Sequence, residues 1–455
     1  MTTLNLGKNP IRTCGSPLSR RSLLKIGAAL PIAGLATQTG QLQAAVDAPA
    51  KSVLFVNLIG APSHLDLFDP KPDAPAEYRG PFNVIGTRVP GVYFSELLPK
   101  CAAISDKFTV CRSNVNYSAD HLIAMSIMMT GYEPTDGGET GNGTPFGYQP
   151  NFGSIASRAK RVDGLPSFVS LAKGPIGDGR GPSLGAGGNK WGRRFDPFMI
   201  HCDQAGDVSL PGLDLLDGLT PNRLGDRRKL QQELNFAKQQ VDALASTELS
   251  NLYGQAFELL TSSTTNRAFN LEGESKQTRN AYGQSSFGQS CLLGRRLVEA
   301  GVPYVQVNWS QFAEVLYGFS DYGWDTHADN FGLMEDLHGP LLDHVFSTLI
   351  NDLDDRGLLE TTLVVCMGEF GRTPRINGIG SRDHWHQCYF SVWAGAGVPR
   401  GHVIGTSDKR AESPITEPFN PAMVGTTILE KMGITSQQRA EFRILQDSHA
   451  FEPLM

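Results

Sequence analysis

Positive charge is scarce in this 455-residue chain: 40 Lys and Arg face 46 Asp and Glu, for a formal net charge of −6. Acidic residues are missing from positions 1–45, where Lys8, Arg12, Arg20, Arg21 and Lys25 sit alone. Without those five positive charges the remainder carries −6 − 5 = −11. So acidic a chain argues against a nucleic-acid partner, because displacing counterions from phosphates takes Lys and Arg. Long apolar runs are missing too. The run at 26–36 is too short to span a bilayer, and no later stretch is long and apolar enough. Cysteines number seven, and no two form a C-x-x-C pair, which argues against a zinc ribbon or a thioredoxin motif. The G-x-S-x-G elbow, phosphate-loop and dinucleotide fingerprints and internal repeats are all absent.

What is present at the N-terminus reads as an export leader. Ser19-Arg20-Arg21-Ser22-Leu23-Leu24-Lys25 is a twin-arginine pattern, followed by the 26–36 apolar run and small residues near Ala44-Ala45. The expected organisation is a signal peptide over 1–45 and one large domain over 50–455, delivered to the periplasm or the exterior. Membrane contact is expected only during export. An exported chain permits disulfides, and Cys101 with Cys111 is the first pair to test.

Six apolar runs, at 52–59, 108–111, 167–171, 302–308, 361–367 and 389–394, read as strands. Helical patterns lie at 224–259, 286–300 and 331–356, and Gly-rich loops at 136–147 and 173–190. Strands alternating with helices predict an α/β fold with a mostly parallel sheet, whose ligands bind outside the C-terminal strand ends. His338 and His344 read as surface residues of a helix.

Hard-ligand side chains gather just after those strands. His64 and Asp66 follow the first. Asp120 and His121 open a short helical segment, where Asp120 is either a cap or an anion-site group. Asp325 and His327 sit in Gly-Trp-Asp-Thr-His. Glu369 and Arg372 follow the fifth strand, and Asp383, His384 and His386 come next. Carboxylate and imidazole at such spacing suit zinc, manganese or iron. Glu369 directly abuts an apolar strand, so it needs a metal or a cation such as Arg372 to offset burial.

The stretches Pro62-Ser63-His64-Leu65-Asp66-Leu67-Phe68-Asp69-Pro70, Asp120-His121 to Thr130-Gly131, Phe287-Gly288-Gln289-Ser290-Cys291, Gly323-Trp324-Asp325-Thr326-His327, Met367-Gly368-Glu369-Phe370-Gly371-Arg372 and Arg382-Asp383-His384-Trp385 carry a resemblance. Together the chain resembles the domain-of-unknown-function 1501 family, grouped with the alkaline-phosphatase-like superfamily of phosphatases and sulfatases. The resemblance implies a three-layer α/β/α fold with one or two divalent ions, zinc first, with manganese, calcium or magnesium as alternatives. It implies metal ligation by Asp66 or His64, Asp325, His327, Glu369 and His384, and Asp383 joins them as a candidate ligand from its place beside His384. Where the superfamily carries Ser, Thr or Cys as nucleophile this chain has His121, beside Asp120. The expectation is therefore an exported hydrolase of phosphate or sulfate esters that uses a metal-activated water. His121, with Asp120 beside it, would handle protons or complete the metal shell, and Arg372 would steady the oxyanion. The substrate would be a small-molecule or polysaccharide ester. The alternative is a binding or scaffold protein that kept the fold and lost the reaction.

Overall fold

A computed structural model describes residues 50–133, 148–162, 164–173, 176–178, 181–182, 185–209, 267–310 and 323–455. The leader expected over 1–45, the helical stretch at 224–259 and the Gly-rich loop at 136–147 lie outside the described residues. Pro49–Met455 forms one unit.

Its centre is a nine-stranded sheet. The strands are β1 (Ser52–Leu58), β2 (Thr109–Asn114), β3 (Phe168–Ala172), β4 (Phe198–Cys202), β5 (Val208–Ser209), β6 (Tyr304–Trp309), β7 (Thr362–Met367), β8 (Tyr389–Ala394) and β9 (His402–Ile404). They lie in the order β9-β2-β8-β7-β1-β6-β3-β4-β5. β1 pairs in parallel with both β6 and β7. Only β8, and β5 at one edge, run against their neighbours. β1, β6 and β7 are buried at every position. That is why they read as unbroken apolar runs: a strand covered on both faces has no reason to alternate.

Helices cover both faces, so the expected three-layer α/β/α fold holds. Alternate residues of β1 serve the two sides. Leu54 and Val56 pack with Leu292 and Leu293 of the helix Ser286–Glu299 and with Val345 and Leu349 of Gly339–Asp355. Val53 and Phe55 pack with Met125 of His121–Thr130, Ile155 of Phe152–Ala159 and Ile428 of Pro421–Lys431. Among the described residues no helix is long and apolar enough to cross a membrane.

Three expectations need correction. The helix at 331–356 is not continuous: Asn330–Leu333 passes through a π-turn, Met334–His338, before Gly339–Asp355 begins with Pro340 in its first turn. That extra residue per turn rotates His338 inward. It is fully buried against the rings of Trp309 and Trp324, at 5.4 and 4.8 Å between centroids, not on the surface. Cys101 and Cys111 are both free and buried. They belong to the clusters on opposite faces of the sheet, so no disulfide can join them without breaking a layer.

Candidate metal centre

The C-terminal ends of β1, β2, β6 and β7 lie on one side of the sheet, and the site is assembled beyond them from four connecting segments. β1 ends in a turn whose Gly60 and Ala61 both have positive φ (106° and 68°). A Cβ on Gly60 would stand 2.4 Å from the Asp325 amide nitrogen, so only glycine lets the Trp324–Asp325 backbone lie against the strand end. Trp324 N–H donates to Ile59 C=O at 2.8 Å and fixes that approach.

Asp325 stands at the middle of the cluster. Its Oδ1 is 3.1 Å from His327 Nε2 and 3.2 Å from His384 Nε2, and its Oδ2 is 3.2 Å from His121 Nε2. The two nitrogens His327 Nε2 and His384 Nε2 are themselves only 2.8 Å apart. His121, Asp325 and His384 present ligand atoms that all lie within 4.8 Å of one another.

The opposite nitrogen of each ring decides what these atoms are. His121 Nδ1 meets Glu369 Oε1 at 2.6 Å, His327 Nδ1 meets Asp383 Oδ1 at 3.0 Å, and His384 Nδ1 meets the Ala119 carbonyl at 2.7 Å. Each of those partners is an acceptor, so each Nδ1 carries the proton and donates it. In the neutral ring each Nε2 is then the atom with the free lone pair. With all three rings neutral, three lone pairs gather around the Asp325 carboxylate, and Arg372 is the donor beside it. His121 Nε2, deeply buried, has no hydrogen-bond partner of good geometry. A set of acceptors facing one another is costly unless a cation sits between them, and imidazoles pinned through Nδ1 by a carboxylate or carbonyl are how proteins aim Nε2 at a metal. Ligands ~2.0–2.1 Å from a tetrahedral zinc stand roughly 3.3 Å apart, close to the separations around Asp325. His121, Asp325 and His384 fit a divalent ion, with His327 alongside, and such an imidazole-carboxylate set suits zinc.

Electrostatics point the same way. Burial works against the charge on Asp325, but His121, His327, His384 and Arg372 together hold its carboxyl far below the usual range. Burial also opposes the charged form of His121, yet Asp325 and Glu369 on either side raise it to about 9. Asp325 likewise raises His327, whereas burial lowers His384. A proton and a dication therefore compete for the same His121 nitrogen.

Access is one-sided. Side-chain exposure runs from 6% for His121 to 44% for His327 and 52% for Asp383, so the cluster has a closed floor and an open mouth. Phe370 lines the floor, stacked on His121 at 4.9 Å and beside His384 at 4.8 Å.

The other residues expected at the site fall in different places. Glu369 stands behind His121: its Oε1 accepts from His121 Nδ1 and from the Gly60 N–H at 3.0 Å, while Oε2 has no hydrogen-bond partner. Asp383 stands behind His327 in the same way. Asp120 caps the helix His121–Thr130, accepting from the N–H groups of Leu122 and Ile123 at 3.0 and 3.2 Å. That places His121 at the first helical position. Arg372 is fully buried and turned inward. It donates to Asp325 at 2.7 Å, to the Trp324 and Ala61 carbonyls at 2.9 Å each and to the Gly60 carbonyl at 2.5 Å. It anchors Asp325 to the end of β1 and does not project as an oxyanion clamp; Nη1 alone has no hydrogen-bond partner.

His64 and Asp66 are not brought into the cluster. Asp66 is buried in a pair with Arg382, at 2.8 and 3.1 Å, and accepts from Asn330 at 3.0 Å. His64 Nε2 donates to the Ala411 carbonyl at 2.9 Å, and burial lowers its pKa to about 4. His386 lies outside the cluster as well; its carbonyl accepts from the Asn116 N–H at 2.8 Å.

Residues not singled out in the sequence also build the site. Asn116, just beyond β2, donates through Nδ2 to the carbonyls of Glu369 at 2.7 Å and Ala124 at 3.0 Å, tying the helix bearing His121 to the loop bearing Glu369. Its signal was slight: a polar amide two residues past an apolar strand. The backbone groups of Gly60 and Ala119 leave no side-chain signal at all.

Similarity to known proteins is uneven. No curated protein gives a match. Solved structures match at a distance: a phosphonate monoester hydrolase from Silicibacter pomeroyi, at 12% identity over 88% of this chain and 76% of that one, has a TM-score of 0.35. A sulfatase from Pseudoalteromonas sp., at 12% identity over 88% and 70%, has a TM-score of 0.35. The family model described as "Protein of unknown function (DUF1501)" matches residues 50–447, nearly the whole of the unit that carries the site, and the chain belongs to that family.

Proposed function

We propose that this protein is an exported, metal-dependent hydrolase of phosphate or sulfate esters. The observation that carries the reading is the triple locking of imidazoles: His121, His327 and His384 each spend Nδ1–H on an acceptor and aim Nε2 at Asp325. When bound there, a divalent ion supplies Lewis-acid polarisation of an ester oxygen and acidifies water. The protein's own groups supply the rest. Arg372 keeps Asp325 ionised and fixed to β1. Glu369 and Asp383 hold two of the rings in a single orientation. Phe370 keeps the floor dry, and the mouth between His327 and Asp383 admits a polar substrate.

Among the described residues no Ser, Thr or Cys side chain hydrogen-bonds to His121, His327 or His384. The position expected for a nucleophile is filled by His121, both of whose nitrogens face carboxylates. Water is accordingly the nucleophile in this reading, and no covalent enzyme intermediate forms. The test is metal analysis of the mature chain together with turnover of aryl phosphate and aryl sulfate esters. Stoichiometric zinc or manganese with metal-dependent turnover is the expected result. Failure to take up either ion under any loading condition overturns it.

The inward turn of Arg372 favours a second reading, a protein that binds an anion or partner at the metal without turning it over. Metal uptake without hydrolysis of any ester selects it. For export, replacing Arg20 and Arg21 with Lys in the full chain is expected to leave the protein in the cytoplasm; normal secretion of that variant refutes the twin-arginine route.

A further inference from the structure

Beside the metal cluster lies a second buried network that touches none of its ligand atoms. Asp66, on the segment leaving β1, accepts from Arg382 Nε at 2.8 Å, from Arg382 Nη2 at 3.1 Å and from Asn330 Nδ2 at 3.0 Å. The other Arg382 donors go to the carbonyls of Thr373, Pro374 and Tyr78. Arg382 is contiguous with Asp383 and His384. Asn330 reaches the other ligand segment: its Oδ1 accepts from Thr326 Oγ1 at 2.8 Å, and Thr326 sits between Asp325 and His327. Ser381 completes the ring, accepting from the Asn330 N–H at 3.1 Å and donating to the Thr326 carbonyl at 2.9 Å. Asp66, Thr326, Asn330, Ser381 and Arg382 are all buried.

We propose that Asp66 is a positioning residue of the metal centre. Its two oxygens bind Arg382 and Asn330, which join it to the His384 and His327 segments, and so set the separation of those imidazoles. The inference rests on the metal reading above and deepens it. The chemistry is that of registration: Arg382 offers a planar fork matched to a carboxylate, and a neutral amide at position 66 would set an NH2 group against one of three donors. The fork would then rotate, carrying Asp383 and His384 with it. A ligand shifted by a few tenths of an ångström loses affinity although every ligand is still present.

The experiment measures zinc affinity by competition with a chromophoric chelator for the wild type, Asp66→Asn and the control Asp69→Asn. Asp69 is an equally buried carboxylate three residues on, paired with Lys71, Arg112 and Ser407, with no bond to either ligand segment. Asp66→Asn is expected to weaken zinc binding about 10- to 100-fold and to alter the visible spectrum of the cobalt-substituted protein. Asp69→Asn is expected to lower thermal stability with zinc affinity and spectrum unchanged. Wild-type protein that takes up no metal refutes the metal reading itself. Wild-type uptake with equal affinity in Asp66→Asn, or an equal loss in both variants, overturns the positioning role alone. Should Asp66→Asn fail to fold, Thr326→Val removes a single hydroxyl of the same network and is expected to cost about threefold to tenfold; unchanged affinity there overturns the inference.

Discussion

Glu369→Gln is the most discriminating single change, because it alters charge while nearly preserving shape. In the native protein Glu369 Oε1 accepts from His121 Nδ1 at 2.6 Å and from Gly60 N–H at 3.0 Å. A glutamine in the same rotamer can keep both bonds through its carbonyl oxygen. Two things change. The NH2 group replaces Oε2, a fully buried atom with no hydrogen-bond partner, so a donor is stranded at about 1–3 kcal/mol. The negative charge that strengthens His121 as a ligand is also gone. Removing the carboxylate partner of a metal-bound imidazole costs roughly 10- to 100-fold in affinity, or about 1.4–2.7 kcal/mol. The assay is a chelator-buffered zinc titration at pH 9, where the proton on His121, whose pKa is raised to about 9, is half removed and masks less of the difference. A folded Glu369→Gln protein that binds zinc as tightly as the wild type, or more tightly, refutes the claim that Glu369 orients a ligand. Loss of binding beyond a thousandfold also counts against it, since Glu369 would then be contacting the ion itself.

Further outcomes follow from the same geometry. Zinc added to chelator-stripped protein at a hundred times its dissociation constant is expected to stabilise the fold by about 2.7 kcal/mol, a rise of about 3 °C in Tm for a unit of this length; no shift by scanning calorimetry refutes binding to the native state. Gly60→Ala drives a methyl group to 2.4 Å from the Asp325 nitrogen at a φ of 106°, so metal content and thermal stability are expected to fall together, and a variant with native zinc content refutes the close approach. His64 is depressed to about 4 by burial, so the unfolded chain binds its proton first; stability is full above pH 6.5 and declines as pH falls towards 4, by about 3 kcal/mol in total. Denaturant melts of His64→Gln should show a flatter profile over that window, and parallel profiles refute the assignment.

How much of this was legible in the sequence depended on the range of the interaction. The core strands β1, β6 and β7 were legible because burial on both faces leaves an unbroken apolar run. β4 and the edge strands β5 and β9 were not: they are short or half-exposed, and His201 and His402 interrupt the apolar character of β4 and β9. The π-turn at Met334–His338 was invisible for a related reason, since one extra residue in a turn leaves composition unchanged while moving His338 from one helix face to another.

Partner choice over long sequence separations was the harder limit, and Asp66 and Glu369 show why. Both are buried carboxylates after apolar strands, and burial gives both the same need for a cation. The fold answers it differently. Asp66 meets Arg382, 316 positions away, and is neutralised by a guanidinium. Glu369 meets His121, 248 positions away, and its charge passes through an imidazole whose far nitrogen looks into the cluster. Residue type and position could say that Glu369 needed a positive partner, but not which. That distinction also sets their consequences. A carboxylate neutralised by arginine is locked whatever the metal content, so it can serve as a fixed rivet between loops. One backed by histidine changes its partner's charge when a dication replaces a proton, so it couples the ion to the sheet end through Gly60. The two carboxylates therefore divide the work: Asp66 sets where the ligands stand, and Glu369 sets how strongly one of them binds.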